Sequence, residues 1–185
     1  MTIYIEFNTE RLLLRPIRLD DADAIFQYRS DPKSNQFQGW IPETIDDVHE
    51  FINNKVAPVM DIVGTWYQFV IIKKETHEVI GDVGVHFLDS EKQQVEVGCT
   101  LAKNHQGKGY ATEALNEMIR YLFDRVQKHR IIASLDPQNS QSIKLIERLG
   151  FRKEAHFKKS IQIRGKWADD VVYAILKDEW MKNNH

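Results

Sequence analysis

Residues 109–128 carry the clearest periodic pattern in the chain, with apolar side chains at Ala111, Ala114, Leu115, Met118, Ile119, Leu122 and Val126. Steps of three and four lay one buried stripe along a helix, so a long amphipathic helix is predicted here. Upstream the pattern differs. Residues 66–72, 79–88 and 93–101 are apolar or alternating runs separated by polar stretches at 75–78 and 89–92. They predict a meander of three antiparallel strands, with Val95, Val97 and Cys99 on one face of the third.

The flanks complete the order. Residues 10–18 predict a first strand with Pro16 near its end. Asp20 or Asp21 caps a helix through Ala22, Ala24, Ile25 and Tyr28, which Asp31-Pro32 stops. A loop at 34–42 carries Phe37 and Trp40. Thr44 with Asp47 resembles a capping box for a helix through Val48, Phe51 and Ile52, ending by Pro58. Residues 131–135 predict a short buried strand. Asn139 or Ser140 then caps a helix with Ile143, Ile146 and Leu149 inward, which Gly150 closes as a left-handed cap. Strands at 152–162 and 168–177 come last. Strand, helix and strand across 93–135 favour a parallel pair beside an antiparallel meander. The fold class is therefore α/β with a mixed sheet, in one domain over residues 1–185, with no repeat or low-complexity linker.

Composition narrows the function classes. The chain has 185 residues, 42% hydrophobic and 28% charged, with 25 basic and 27 acidic side chains. A net charge of -2 gives no basic footprint for nucleic acid or a membrane surface. No apolar run approaches the roughly 20 residues that span a bilayer, and residues 1–11 lack the apolar core of a signal peptide. The single cysteine, Cys99, excludes an intramolecular disulfide and a cysteine zinc cluster. His49-Glu50 is followed by Asn53 where a zinc motif needs histidine. No metal is expected, and a cytoplasmic location is.

The motif that carries chemistry is Gln106-Gly107-Lys108-Gly109-Tyr110-Ala111, with Thr112 following, at the start of the long helix. A diphosphate needs several converging donors. The free N–H groups and positive dipole end of a helix start supply them. Gly107 and Gly109 permit close approach, and Lys108 adds a mobile cation. Other phosphate motifs fit less well. A Walker loop requires Ser or Thr after the lysine, where Gly109 stands. A dinucleotide fingerprint requires glycine where Thr112 stands. The bland alternative is a pair of glycines that merely turn the chain.

The hexapeptide resembles the acetyl-CoA motif of the GNAT superfamily of N-acetyltransferases, Gln/Arg-x-x-Gly-x-Gly/Ala. Asn139, Ser142 and the ending Leu149-Gly150-Phe151 resemble that superfamily's next strand, helix and strand. Glu10-Arg11-Leu12-Leu13-Leu14-Arg15 and residues 170–180 resemble the branch containing ribosomal-protein N-terminal acetyltransferases. The resemblance implies a mostly antiparallel mixed sheet, splayed at its centre between the strands ending at Leu101 and Leu135, with helices on both faces. It further implies a bulge near Gly98-Cys99 that opens the gap for pantetheine. Backbone groups of Cys99, Thr100 and Leu101 would hold the pantetheine arm, Gln106 to Thr112 the pyrophosphate, and Asn139 the cofactor's other side.

Transfer to an amine needs a neutral nucleophile. A lysine-like amine has a pKa of about 10.4 and a peptide α-amine about 8, so a base matters most for alkyl amines. The resemblance makes Glu96 the leading base; its alternative is a solvent-facing strand residue between Val95 and Val97. His86 and Asp82 on the neighbouring strand are weaker candidates. Ser142 resembles the serine proposed as thiol-side acid, or else is a first-turn residue bonding locally. Two departures stand out. Ile146 occupies the position of a common tyrosine acid, and no glutamate lies near Ser160-Ile161, which counts against a ribosomal-protein substrate. Cys99 as an acyl carrier is less favoured than Cys99 as a small buried residue. Trp40 and Trp167, with Phe37, are placed in loops flanking the acceptor mouth, near Asp169 and Asp170.

The sequence thus predicts direct acetyl transfer from acetyl-CoA to a primary amine of a peptide N-terminus or small molecule, by a monomer or homodimer. A non-catalytic acyl-CoA-binding module and a nucleotide-binding protein of another family are the rivals.

Overall fold

The computed structural model describes residues 5–88, 91 and 93–184, so part of the turn predicted at 89–92 lies outside the described residues. Among these residues, eight strands form one sheet: β1 Phe7–Asn8, β2 Leu12–Pro16, β3 Trp66–Lys73, β4 Glu78–Phe87, β5 Gln94–Leu101, β6 Arg130–Leu135, β7 Arg152–Ile163 and β8 Lys166–Leu176. Their order is β1-β2-β3-β4-β5-β6-β8-β7. All neighbours are antiparallel except β5 and β6. This is the mixed, mostly antiparallel α/β sheet that the sequence predicts.

Among the described residues, five α-helices accompany it: α1 Ala22–Arg29, α2 Ile45–Asn54, α3 Tyr110–Asp124, α4 Ser140–Arg148 and α5 Lys177–Asn184. The α3 stripe does what its spacing dictates. Ala114, Leu115, Met118, Ile119 and Leu122 are buried against Val83, Val85, Val95 and Val97 of the sheet. Ile146 of α4 and Trp180 of α5 join the same core. The opposite face meets α1 and α2, where Ala22, Ile25, Tyr28 and Val48 pack on Val70 and Ile72. Helices therefore cover both faces, but α1 and α2 cover only the β3 side of theirs.

Several local predictions hold in detail. Thr44 and Asp47 form the capping box of α2, Asn139 caps α4 by accepting from the Ser142 N–H at 3.2 Å, and Gly150 has φ 89° just past α4. Others are corrected. A 3-10 turn, Leu19–Asp21, precedes α1, and the Asp21 carboxylate does not cap that helix. It is drawn instead to the Arg15 guanidinium at 2.7 and 2.8 Å and to the Arg18 N–H at 2.8 Å. The chain before β2 forms a two-residue strand pairing Phe7 with Leu14. The last strand yields to α5 at Lys177, where the Glu179 side chain accepts from the Leu176 N–H at 2.8 Å. The bulge predicted near Gly98-Cys99 is absent: β4 and β5 stay in register from Gly81↔Leu101 to Phe87↔Val95.

One buried polar cluster pins α1 to the sheet. The Asp82 carboxylate on β4 accepts from Tyr28 Oη at 2.6 Å, Arg29 Nη2 at 2.6 Å, Arg29 Nε at 3.0 Å and Gln68 Nε2 at 2.6 Å. Asp82 is thus fully engaged as a structural acceptor rather than poised as a base. Removing one partner of such a pair strands the other charge in the interior. Asp82→Ala is expected to lower the unfolding free energy by about 3–5 kcal/mol in chemical denaturation, and a loss under about 1 kcal/mol would contradict this assignment.

Candidate active site

The parallel pairing of β5 and β6 lasts only through Gln94↔Arg130, Val95↔Ile131 and Glu96↔Ile132. Beyond Glu96, β5 continues to Leu101 along β4, while β6 continues to Leu135 along β8. The two strands part without a bulge, because each follows its other neighbour. One edge of residues 97–101 therefore faces a gap rather than a strand. Gly98, in mid-sheet, is exposed, and a Cβ there would meet nothing within 4 Å. The splay predicted at the sheet centre is present and begins at Glu96.

Directly paired residues share a face, so Trp66, His86, Glu96, Ile132 and Ala174 form one row across the sheet. Their face is the one that α1 and α2 leave uncovered at β6 and β8. His86 Nδ1 lies 3.4 Å from Glu96 Oε2, and the His86 ring stacks on Trp66 with centroids 4.7 Å apart. Gly84 makes room for that indole, since a Cβ there would come within 3.0 Å of Trp66 Cε3. Burial raises the Glu96 pKa above the usual glutamate range; His86 offsets this in part, and the Asp170 charge adds to it. Such a carboxylate takes a proton more readily than a solvated one.

Asp170 on β8 shares this face, where Ser134 Oγ donates to it at 2.7 Å, and Phe157 is its cross-strand neighbour, half exposed. Neither Ser134 nor Phe157 is conspicuous in sequence; only the register of β6, β7 and β8 brings them here. Asp169 points the other way and is engaged by His156 Nε2 and Lys158 Nζ, each at 2.9 Å, and by the Lys159 N–H at 3.0 Å. Strand alternation likewise puts Trp167, 61% exposed, on the face opposite Asp170. Trp40 is stacked on Phe51 with ring centroids 4.5 Å apart and lies over the Arg29 guanidinium. The hairpin tip still reaches the loop that carries Trp40, as Arg164 Nη2 donates to the Gln36 carbonyl at 2.5 Å.

At the wide end of the gap stands the start of α3. Gly107 and Gly109 have φ 74° and 85°, and Gly109 is the N-cap. The first helical bond runs from the Glu113 N–H to the Gly109 carbonyl at 3.0 Å, leaving the N–H groups of Tyr110, Ala111 and Thr112 without intrahelical acceptors. The space over Gly107 is open, since a Cβ there would meet nothing within 4 Å. Lys108 is exposed. Two members of the motif serve the loop itself: Gln106 Nε2 donates to the Leu101 carbonyl at 3.0 Å, and the Tyr110 ring is buried under Arg11. From α4, Arg148 Nη1 approaches Thr112 Oγ1 at 3.5 Å. Ser142 is half-buried, its N–H taken by Asn139. Burial pushes the Cys99 thiol well above its usual range, so it is protonated at neutral pH and a poor nucleophile.

Known proteins point the same way. Residues 11–152 match the acetyltransferase (GNAT) domain family. The chain is 38% identical over 176 residues to an uncharacterized N-acetyltransferase p20 of Bacillus licheniformis, covering 93% of this chain and 96% of that protein. It is 28% identical over 182 residues to the ribosomal protein uS5-alanine N-acetyltransferase of Escherichia coli K12, covering 95% and 93%. A GNAT-family acetyltransferase from Bacillus anthracis has a similar crystal structure, with a TM-score of 0.82 at 29% identity over 94% of this chain and 99% of that one. With a family match over most of its length and relatives of the same activity on both counts, the chain belongs to the GNAT acetyltransferases and is an N-acetyltransferase.

Proposed function

We propose that the protein moves an acetyl group from acetyl-CoA directly to a primary amine, with Glu96 as the general base. The observation that carries this reading is where β5 and β6 part: the gap opens beside Glu96 and runs toward the N-terminus of α3. The residues fit the cosubstrate. Outward backbone groups of Cys99, Thr100 and Leu101 suit a pantetheine arm, although the Leu101 carbonyl already accepts from Gln106. The N–H groups of residues 107–112, with Lys108, suit a diphosphate. In this reading Asn139 and Ser142 meet the cosubstrate from the α4 side, and Ser142 Oγ is the donor toward the departing sulfur.

The acceptor arrives on the Trp66–His86–Glu96 face. Glu96 takes the ammonium proton, leaving a neutral nitrogen to attack the thioester carbonyl; the C–S bond breaks as the amide forms, and the nitrogen's second proton passes to the departing thiolate. Asp170 favours a cationic acceptor near this point. Trp40, stacked on Phe51, and Trp167, on the face opposite Asp170, stand outside the reacting centre. The acceptor class comprises peptide N-termini and small amines. One relative acts on a ribosomal-protein alanine, but this chain lacks a glutamate near Ser160-Ile161.

Turnover is measured as free CoA thiol released from acetyl-CoA against a panel of polyamines, aminoglycosides and short peptides. Release with at least one primary amine is expected; tight acetyl-CoA binding without release for any acceptor would overturn the acetyl-transfer reading. The pH profile tests the base. Glu96 works only when ionised, and its pKa is raised, so activity falls as pH drops while ordinary glutamates are still charged. The acid limb of kcat/KM should therefore lie above the ordinary glutamate value of about 4.3. Glu96→Gln should lower kcat by about a hundredfold or more and remove that limb. A variant that keeps both rate and limb excludes Glu96 as the base.

A further inference from the structure

The first turn of α3 holds an acidic residue, Glu113. An acidic side chain in a first turn ordinarily stabilises the helix by facing its positive end. Here it has a second consequence, because that end is the one read above as a diphosphate site. A free carboxylate there competes for the same N–H groups and repels the anion.

The structure shows the carboxylate turned away. Glu113 Oε1 accepts from Thr9 Oγ1 at 2.5 Å and from the Arg11 N–H at 2.8 Å, and Oε2 accepts from Arg11 Nε at 2.7 Å. Burial disfavours the charge, and the donors of Thr9 and Arg11 outweigh it, holding the Glu113 carboxyl below the usual glutamate range. All these donors come from the segment joining β1 to β2, about a hundred residues away in the chain.

The same guanidinium also holds the loop. Arg11 Nη1 donates to the Lys108 carbonyl at 3.0 Å, and its Cζ lies 4.5 Å from the centroid of the buried Tyr110 ring. Its Nη2 sits 3.3 Å from where a Cβ on Gly109 would be. One side chain therefore fixes a loop carbonyl, stacks on the first helical residue and neutralises the first-turn acid. A purely structural ion pair would need only the Glu113 contact; the bond to Lys108 ties the pair to the loop itself.

We propose that Arg11 is a positioning residue for acetyl-CoA: it withdraws the Glu113 carboxylate from the N-terminus of α3 and orients the 107–109 loop so that its N–H groups face the diphosphate. This rests on residues 106–112 being the diphosphate cradle. Arg11 acts through Glu113 and Lys108 and does not touch the reacting atoms, so its loss weakens cosubstrate binding and spares the chemical step.

The test is a double-mutant cycle on Arg11→Ala and Glu113→Gln, reading the KM for acetyl-CoA, kcat at saturation, the Kd for CoA by calorimetry and the thermal midpoint. Arg11→Ala leaves an uncompensated carboxylate beside the anion, so KM and Kd should rise about tenfold or more while kcat stays within about twofold. Glu113→Gln removes the repulsion together with its partner and should change KM by less than about threefold. The double variant should regain at least about threefold of the affinity lost in Arg11→Ala, even if its thermal midpoint stays lowered; the part not regained is the lost Arg11–Lys108 bond. A double variant binding CoA as poorly as Arg11→Ala would overturn the proposal, since the Glu113 carboxylate would then not be what Arg11 keeps from the anion; so would an Arg11→Ala variant with unchanged Kd. In either case Gly109→Val should still weaken CoA binding if the cradle is correctly placed. Wild-type protein that binds CoA with no loss in Gly109→Val sinks the cradle reading itself, and the proposal with it.

Discussion

The site depends on one constraint: two parallel strands that pair for three residues and then each follow a different antiparallel neighbour. Sheet hydrogen bonding is obligatory for backbone groups kept from water, so a gap in mid-sheet is costly unless something occupies it. The rest of the fold holds that gap open. β4 keeps β5 in register up to Leu101, β8 keeps β6 in register up to Leu135, and on the other face α3 packs on the β5 half while α4 packs on β6. The gap needs no bulge, and its narrow end falls beside Glu96, the half-buried carboxylate on the open face.

Charge is arranged along the gap in two regions. At the wide end, the helix start and Lys108 are positive, and the one acid in that turn is drawn back by Arg11 and Thr9. At the narrow end, Glu96 and Asp170 make the open face acidic. A cosubstrate with a diphosphate at one end and a neutral thioester at the other matches that polarity. A cationic amine arriving from the open face matches it as well. Cys99 lies between the two regions, with a thiol that burial pushes well above its usual range.

Much of this was legible in the sequence, for identifiable reasons. The α3 stripe, the Thr44–Asp47 box, the Asn139 cap and Gly150 are local signals set by residues within a turn of one another. Gly107 and Gly109 were legible because the left-handed angles there demand them. What was not legible depends on distant partners. β1 exists only against β2. α5 is held by Trp180 packing near Phe123 with centroids 6.2 Å apart, and Asp21 turns from cap to ion pair because Arg15 lies beside it. The faces of Trp167, Asp170 and Phe157 follow from strand register, including shifts within β7. Arg11 and Glu113 look like ordinary surface charges until the fold brings them together. The bulge near Gly98 was expected from family likeness, and the parting of strands makes it unnecessary.

We propose that the gap between β5 and β6, together with the start of α3, receives acetyl-CoA. Residue-resolved amide hydrogen exchange with and without saturating CoA tests it most directly. New protection is expected at residues 98–101 and 107–112 and at the start of α4, with the β1–β2 hairpin and the α2 helix unchanged. Protection elsewhere, with residues 98–101 and 107–112 exchanging as in the free protein, would contradict it.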